Sequence, residues 1–317
     1  MADLEKEESH NLHVEFQWVL HHEVHNILQQ LLSILEECHR RFPLINSETT
    51  QPLKQEKFLM SPSHLTTQDQ VKCVATLTGD SICHAEIQLK SRRQQNVVHR
   101  TSVTSDCPWK LQQVQDAANH LQQAIRMIEN VHDDYKFKSS EEVLHLLGAI
   151  LSCVQRSRTI LLVPRKRSMD DLINSKNMKS LLPPLPNEIA VSFYIQSHKL
   201  IFAVYQVSMV HGALKFDTSQ AECSIPWLNE VLVLLTVGLQ TCQQLKDKVQ
   251  TVFNASNNDS KLNNPFYRFF VCNQTENYLF CRFACSPSTA ISTQLHEQAR
   301  SRPKRLLSPC FGVRFIV

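Results

Sequence analysis

The chain has 317 residues, 42% of them hydrophobic, which is enough to bury a sizeable core in one elongated domain or two compact ones. The formal net charge of +3 at pH 7 is too small to indicate nucleic acid as a partner. The five glycines lie too far apart to form a phosphate-binding loop or a dinucleotide-binding fingerprint, so the sequence excludes nucleotide chemistry by these routes.

Four segments carry apolar residues at alternating spacings of three and four, a pattern that predicts long helices with one buried face each. The first predicted helix runs from about Val14 to Arg41. It ends at Phe42 because Pro43 disfavours helical backbone in the residue before it. A stripe with this spacing can mesh with another helix over its whole length. We therefore expect the four helices to bury their stripes against one another.

After the first helix the apolar period changes to two, which predicts β-strands. Within residues 71–77, the apolar side chains of Val71, Cys73, Ala75 and Leu77 alternate with mostly polar ones. Gly79–Asp80 is predicted to form a turn, and residues 82–89 are predicted to form the return strand. Residues 97–103 are predicted to add another strand.

The second and third predicted helices follow this β block. The second is predicted to begin at Pro108–Trp109 with Asp106 as its N-cap. The third begins with a capping box at Ser139 and Glu142, in which each side chain is expected to bond the other residue's backbone amide. It ends before Pro164.

A second β block precedes the fourth helix. Residues 183–186 are rich in proline and predict a rigid connection. Residues 189–195, 200–210 and 221–225 are predicted strands, and we expect them to share one sheet with the first block because a lone hairpin is marginal in water. The fourth helix begins at Pro226.

The four stripes together predict an α+β fold whose helices form an antiparallel, heptad-patterned four-helix bundle. The predicted bundle seam consists of Val24, Leu28, Leu31, Leu35, Leu111, Val114, Leu121, Ile125, Val143, Leu147, Ile150, Val154, Leu228, Val231, Leu235, Leu245 and Val249.

Three N-terminal histidines are the strongest candidate for catalytic chemistry. His22 and His25 with the intervening Glu23 are one residue short of the zinc-protease pattern, whereas His21 and His25 have its spacing with the glutamate misplaced. A metal-dependent hydrolase is thus one alternative, but no third ligand is evident, and solvated histidines on a helix are the simpler interpretation. The sequence predicts no catalytic residue, no cofactor and no metal site.

The sequence also predicts a cytosolic protein. Residues 1–9 are acidic and lack the apolar core of a secretory signal. The longest apolar run, residues 231–239, is much shorter than the ~20 residues that a membrane span needs. The eleven cysteines are then reduced thiols that serve as small hydrophobic side chains. The basic runs 164–167 and 302–305 are nuclear localisation signals, contacts for anionic surfaces or, most often for such runs, solvated loops.

Five runs of sequence resemble the Rogdi family, also called leucine-zipper-domain proteins. They are residues 15–25, 69–80, 109–116, 223–229 and 239–248. The resemblance implies an elongated molecule in which the first and last helices pair antiparallel and a β domain is separate. It also implies a non-catalytic role beside a large WD-repeat, rabconnectin-type subunit in a RAVE-like complex that promotes assembly of the vacuolar proton-pumping ATPase.

The predicted domains follow from the apolar patterns and from the resemblance to the Rogdi family. The helical domain takes residues 14–42, 108–163 and 226–253, the β domain takes 54–104 and 187–225, and residues 254–317 form a divergent, poorly ordered tail. The expected partners are the WD-repeat subunit and ATPase subunits, in the cytoplasm or on endomembranes. A homodimeric coiled-coil interaction protein is the other alternative.

Overall fold

The structure, a computed structural model, describes residues 2–43, 55–62, 71–90, 97–210, 213–258 and 314–316. The fold is α+β, as predicted, with several helices packed on a curled antiparallel sheet. The helices are α1 (Ala2–Trp18), α2 (Val24–Arg41), α3 (Gln112–Glu129), α4 (Ser140–Leu162), α5 (Met169–Ile173), α6 (Lys176–Lys179) and α7 (Pro226–Asn258). The strands are β1 (Gln55–Pro62), β2 (Val71–Thr78), β3 (Ser81–Lys90), β4 (Val98–Val103), β5 (Trp109–Lys110), β6 (Lys166–Ser168), β7 (Ile189–Gln196), β8 (Lys199–Val210), β9 (Ala213–Ser224) and β10 (Arg314–Ile316).

The first helix begins earlier than predicted and contains an irregular turn. It starts at Ala2, well before Val14, and a π-helical turn at Val19–Glu23 joins α1 to α2. The π turn carries one more residue than an α turn. The adjacent residues Val19 and Leu20 are both buried there, an arrangement that the three-four spacing did not predict.

The strands of the two β blocks form one sheet, as predicted, in the order β4-β3-β2-β1-β9-β8-β7. Strand β1 joins the blocks, because residues 55–60 pair with β2 whereas Ser61 and Pro62 pair with Glu222 and Ala221 of β9. The sequence analysis assigned no strand to residues 55–62, whose side chains lie mostly at the surface and show no clear apolar alternation.

The start of the second helix was predicted wrongly. Trp109 and Lys110 form β5, which pairs with β3, and the Leu111 amide donates to the carbonyl of Asp80 at 2.8 Å. The Trp109 ring is buried edge-on against Phe193, with ring centroids 5.3 Å apart. This burial keeps residues 109–110 extended, so helix α3 begins at Gln112 and Asp106 does not cap it.

Only half of the predicted capping box is present at the start of α4. The Ser139 hydroxyl accepts a hydrogen bond from the Glu142 amide at 3.4 Å. The Glu142 carboxylate does not return to the Ser139 amide, because it accepts from the Lys138 amide at 2.9 Å and from the Tyr135 hydroxyl. The reciprocal bond was therefore predicted wrongly.

The connection after α4 contains more structure than a proline-rich spacer. Residues Met169 and Leu172 of α5 cover Ala190, Tyr194 and Ile201 on the face of the sheet that is turned away from the long helices. Further along, a bridge between Ser102 and Leu182 ties the connection to the edge strand β4. The rigid character predicted for residues 183–186 stays a prediction.

Each of four long helices packs on two of the others: α2 packs on α3 and α7, and α4 packs on the same two helices. Helices α2 and α7 run antiparallel, with Glu23 bonded to Lys248 at 2.5 Å near one end and Arg41 to Glu230 at 2.7 Å near the other. One continuous hydrophobic core extends from these helices to the inner face of the sheet, where Phe202 is fully buried. The division into two domains stays a prediction.

The predicted tail, residues 254–317, falls largely outside the described residues. Helix α7 continues through Asn258, five residues into that range, and residues 314–316 pair with β6. The remaining residues of the range lie outside the described part of the chain, and so does the prediction that they are poorly ordered.

Gly238 allows α7 to approach α2 closely. A methyl group built at this position would lie 3.0 Å from Leu35 Cδ2 and 3.7 Å from Leu31 Cδ1. A larger side chain cannot be accommodated unless the helices separate or the leucines leave their positions. By contrast, a methyl group at Gly148 of α4 meets no other heavy atom within 4 Å.

The two glycines give a matched pair of stability predictions. We expect Gly238→Leu to lower the free energy of unfolding by about 1–3 kcal/mol through overpacking. We expect Gly148→Ala to raise it by about 0.5–1 kcal/mol, because alanine favours helix and the space is open. Urea denaturation of both variants measures the difference, and a Gly238→Leu protein as stable as the parent would contradict the close α2–α7 contact.

Gln113 forms a polar link between the helices and the sheet. Its side-chain Nε2 donates to the carbonyls of Ile160 in α4 and Ile195 in β7, both at 2.9 Å. Its Oε1 accepts from the Ile195 amide at 2.8 Å. One carboxamide on α3 therefore satisfies backbone groups of two other elements, including an edge position of the sheet.

Removing this carboxamide leaves the Ile195 amide without its acceptor. We expect Gln113→Leu to lower the free energy of unfolding by about 1–3 kcal/mol, the typical cost of an unsatisfied buried polar group. The same substitution at Gln115, whose one side-chain bond within the described residues is to Asn119 on the surface of α3, is the control and is expected to cost about 0.5 kcal/mol or less. Equal losses of unfolding free energy in the two variants would contradict a specific contribution of the Gln113 hydrogen bonds to stability.

Candidate interaction surface

The predicted seam lies in the interior of one chain. All of the seam side chains, from Val24 of α2 to Val249 of α7, are buried. A surface for other molecules must therefore be sought among the exposed apolar side chains, which in the described residues are Val14, Trp18, Leu59, Val98, Tyr135, Val163, Leu182, Val233 and Val237.

Two of these residues, Val233 and Val237, line one open groove. Val233 and Val237 are 54% and 39% exposed, and they follow each other at a spacing of four on the outward side of α7. The groove beside them holds about 350 Å³ and is walled on the other side by Arg158 and Leu162 of α4. We name it the α4–α7 groove; its other lining residues are Ser197, Asn229, Leu232 and Thr236.

The walls of the α4–α7 groove are held by hydrogen bonds. Arg158 Nε donates to the Thr236 hydroxyl oxygen at 3.2 Å, and that hydroxyl donates to the Leu232 carbonyl at 2.7 Å. At the end of the groove, the Ser197 amide donates to the Leu161 carbonyl at 2.8 Å. The groove thus has fixed sides, an apolar rim and one guanidinium group, a combination suited to binding an apolar helix face of another protein.

The N-terminal histidines are not brought together around a common point. His21 Nε2 bonds to Gln17 Oε1 at 3.0 Å, His25 Nε2 bonds to the Tyr135 carbonyl at 2.7 Å, and the His22 ring lies beside Trp18. Within the described residues, no three side chains of His, Cys, Asp or Glu are placed so that they could hold a metal ion. The geometry gives the hydrolase alternative no support.

Comparison with known proteins identifies the family. The family model described as "Rogdi leucine zipper containing protein" matches residues 15–216. "Protein rogdi" of Drosophila melanogaster is 55% identical over 249 residues, which cover 78% of this chain and 91% of the relative. The chain belongs to the Rogdi family. Relatives named "Protein rogdi homolog" from Danio rerio and Homo sapiens are each 38% identical over 271 residues, covering 77% of this chain and 94% and 93% of the relatives.

The family match contains one wall of the α4–α7 groove. Arg158 and Leu162 lie inside residues 15–216, whereas Val233 and Val237 follow that range. Sequence analysis of this Rogdi family chain missed both valines, although its longest apolar run, residues 231–239, contained the signal. In a helix with one buried stripe, an unbroken apolar run places some of its residues on the outer side.

Among the described helices, none combines the length and the hydropathy that crossing a bilayer requires.

The described cysteines behave mainly as core residues. Burial raises the pKa of the Cys38 thiol and of the Cys242 thiol to about 12 each, and the pKa of Cys223 to about 11. Cys38 Sγ donates to the Val231 carbonyl at 3.7 Å, so this thiol lies inside the α2–α7 contact. Cys107, by contrast, is exposed.

These differences predict a defined pattern of thiol labelling. Because the thiolate is the reactive form, we expect a maleimide at neutral pH to modify Cys107 rapidly in the native chain. Cys38, Cys73 and Cys242 should react only after unfolding. Peptide mapping by mass spectrometry distinguishes each site, and fast native labelling of Cys38 would show that α2 and α7 are not packed as described.

Proposed function

We propose that this Rogdi family protein is a non-catalytic scaffold subunit that assists assembly of the vacuolar proton-pumping ATPase. In this role it acts in a RAVE-like complex, beside a large WD-repeat subunit of the rabconnectin type, in the cytoplasm and on endomembranes. The proposal rests on the family resemblance for the identity of the partners. The single structural observation that favours it is the exposed apolar rim of the α4–α7 groove.

The groove suits a docking role for energetic reasons. Two neighbouring valines exposed on a rigid helix offer apolar area that costs little conformational entropy to bury. Polar groups at Arg158 and Asn229 lie beside this area, as in the polar rim of protein interfaces. We place the partner contact here.

For the architecture of the scaffold we keep the arrangement predicted from the sequence as part of the proposal. We propose that α2, α3, α4 and α7 act as one antiparallel bundle with heptad packing, and that the sheet acts as a second unit. In this arrangement the buried seam supplies rigidity, and the outward sides of α4 and α7 supply binding. The homodimeric coiled-coil alternative requires seam residues to be shared between chains; sedimentation equilibrium of the purified protein tests it by mass.

Charged substitutions in the groove test the proposal. We expect the double variant Val233→Asp/Val237→Asp to fold normally, because both side chains are exposed. It should recover at least tenfold less WD-repeat subunit in affinity purification from its own cells, since two carboxylates are placed where apolar area is buried. It should also fail to restore membrane-bound ATPase in cells that lack the parent protein.

A matched control lies on the same helix. Gln240→Asp/Gln244→Asp introduces the same two charges at exposed positions further along α7 and should leave recovery unchanged. Failure of the parent protein to recover either a WD-repeat subunit or ATPase subunits would contradict the assembly role. Normal recovery by the valine variant would contradict the groove as its contact.

A further inference from the structure

The two walls of the α4–α7 groove differ in their chemistry. On the α7 wall, Val233 and Val237 expose apolar side chains one helical turn apart. On the α4 wall, Arg158 lies one turn before Leu162. Among the residues that line the groove, Arg158 is the only one that carries a charge. A molecule bound in the groove therefore meets apolar area on one side and a single positive charge on the other.

Neither wall of the groove supplies a counter-charge for Arg158. Helix α4 contains no acidic residue after Glu142, and Arg156 adds a further exposed cation on the same helix. On α7, the only acidic residue between positions 226 and 246 is Glu230. Its carboxylate bonds to Arg41 of α2 at 2.7 Å. The groove therefore offers positive charge to whatever binds in it.

Arg158 is held in place by the opposite wall. Its Nε donates to the Thr236 hydroxyl oxygen at 3.2 Å, and that hydroxyl donates in turn to the Leu232 carbonyl at 2.7 Å. The other four N–H donors of a guanidinium group lie on its two terminal nitrogens, in a rigid plane. This geometry matches the two oxygens of a carboxylate. A positioned guanidinium group recognises an acidic side chain better than a freely rotating cation does.

Desolvation makes the charge of Arg158 a selective element. A helix that packs on Val233 and Val237 also removes water from the opposite wall of the groove. Removing water from a guanidinium group without a counter-charge is unfavourable, whereas a well-placed carboxylate offsets that cost. A purely apolar helix is therefore opposed, and an apolar helix that carries an acidic side chain is favoured. Discrimination of this kind depends on the penalty for the wrong partner as well as on contacts with the right one.

We propose that the partner segment bound in the α4–α7 groove is an amphipathic helix with an aspartate or glutamate beside a pair of apolar residues spaced by three or four. The apolar pair packs on Val233 and Val237, and the carboxylate accepts hydrogen bonds from the terminal nitrogens of Arg158. This inference rests on the proposed function, which places the contact with the WD-repeat subunit in this groove. It adds the chemistry of the segment that the subunit contributes.

Charge reversal tests the pairing. We expect Arg158→Glu to lower recovery of the WD-repeat subunit in affinity purification by at least about tenfold, because a carboxylate would then face a carboxylate. Arg158→Lys keeps the charge without the planar donors, so its recovery should lie between those of the parent and Arg158→Glu. Arg156→Glu makes the same charge reversal on α4 outside the groove lining. It is the matched control and should change recovery by less than about twofold.

Crosslinking identifies the partner residue and does not depend on the folding of Arg158→Glu. Zero-length carbodiimide joins the amine introduced by Arg158→Lys to a carboxylate only where the two are in contact. We expect mass spectrometry of the purified complex to find a link from position 158 to an aspartate or glutamate of the WD-repeat subunit, next to an apolar pair with helical spacing. Arg156→Lys, which places the amine outside the groove, should not form this link.

Each remaining outcome contradicts a defined part of the account. The inference is overturned by a link from position 158 to a second copy of this chain, by no link in a complex that contains the WD-repeat subunit, or by equal losses of recovery in folded Arg158→Glu and Arg156→Glu. The proposed function survives these three outcomes if Val233→Asp/Val237→Asp still lowers recovery. If the parent protein recovers no WD-repeat subunit, the proposed function is contradicted and this inference falls with it.

Discussion

The antiparallel contact between α2 and α7 is the constraint on which the rest of the helical layer depends. It joins residues near the start of the chain to residues 189 to 225 positions later, so that Glu23 meets Lys248 and Arg41 meets Glu230. Gly238 lets the two helices approach closely over Leu31 and Leu35. The Arg41–Glu230 pair is exposed and contributes little, whereas the apolar burial between the helices supplies the stabilisation.

This contact also determines which surfaces stay open. With α2 on one side and α4 on the other, α7 buries its seam and leaves Val233 and Val237 outside. On the other side of α4, helix α3 reaches the sheet through Gln113, and a small cleft lies there at the edge of β7. The proposed protein-binding groove and this cleft are thus consequences of the same helix arrangement, at different places in the fold.

Much of the fold could be predicted from local patterns. Period-two alternation located β2, β3 and β4, and the three-four stripes located α2, α3, α4 and α7, because both periods depend on burial of one face. Features that depend on distant contacts could not be found in this way. The strand at Trp109 depends on packing against Phe193, and β1 depends on its pairing with two different strands.

The candidate surfaces also depend on distant contacts that local sequence patterns do not reveal. The apolar run that contains Val233 and Val237 was visible, but its exposed side follows only from the positions of α2 and α4. The basic residues Arg165 and Arg167 were also visible as a run. Their nearness to the start of α3 and to Ser192 depends on the tertiary fold, and no spacing in the sequence encodes it.

Zero-length carbodiimide crosslinking tests the α2–α7 contact most directly. The reagent joins a carboxylate to an amine only when the two are in contact, and Lys248 Nζ lies 2.5 Å from Glu23 Oε1. We predict an amide link between these two side chains in the purified monomer, identified by mass spectrometry, and no mixed link after labelled and unlabelled chains are combined. Absence of this link, or its formation only between chains, would contradict the fold described for the helical layer.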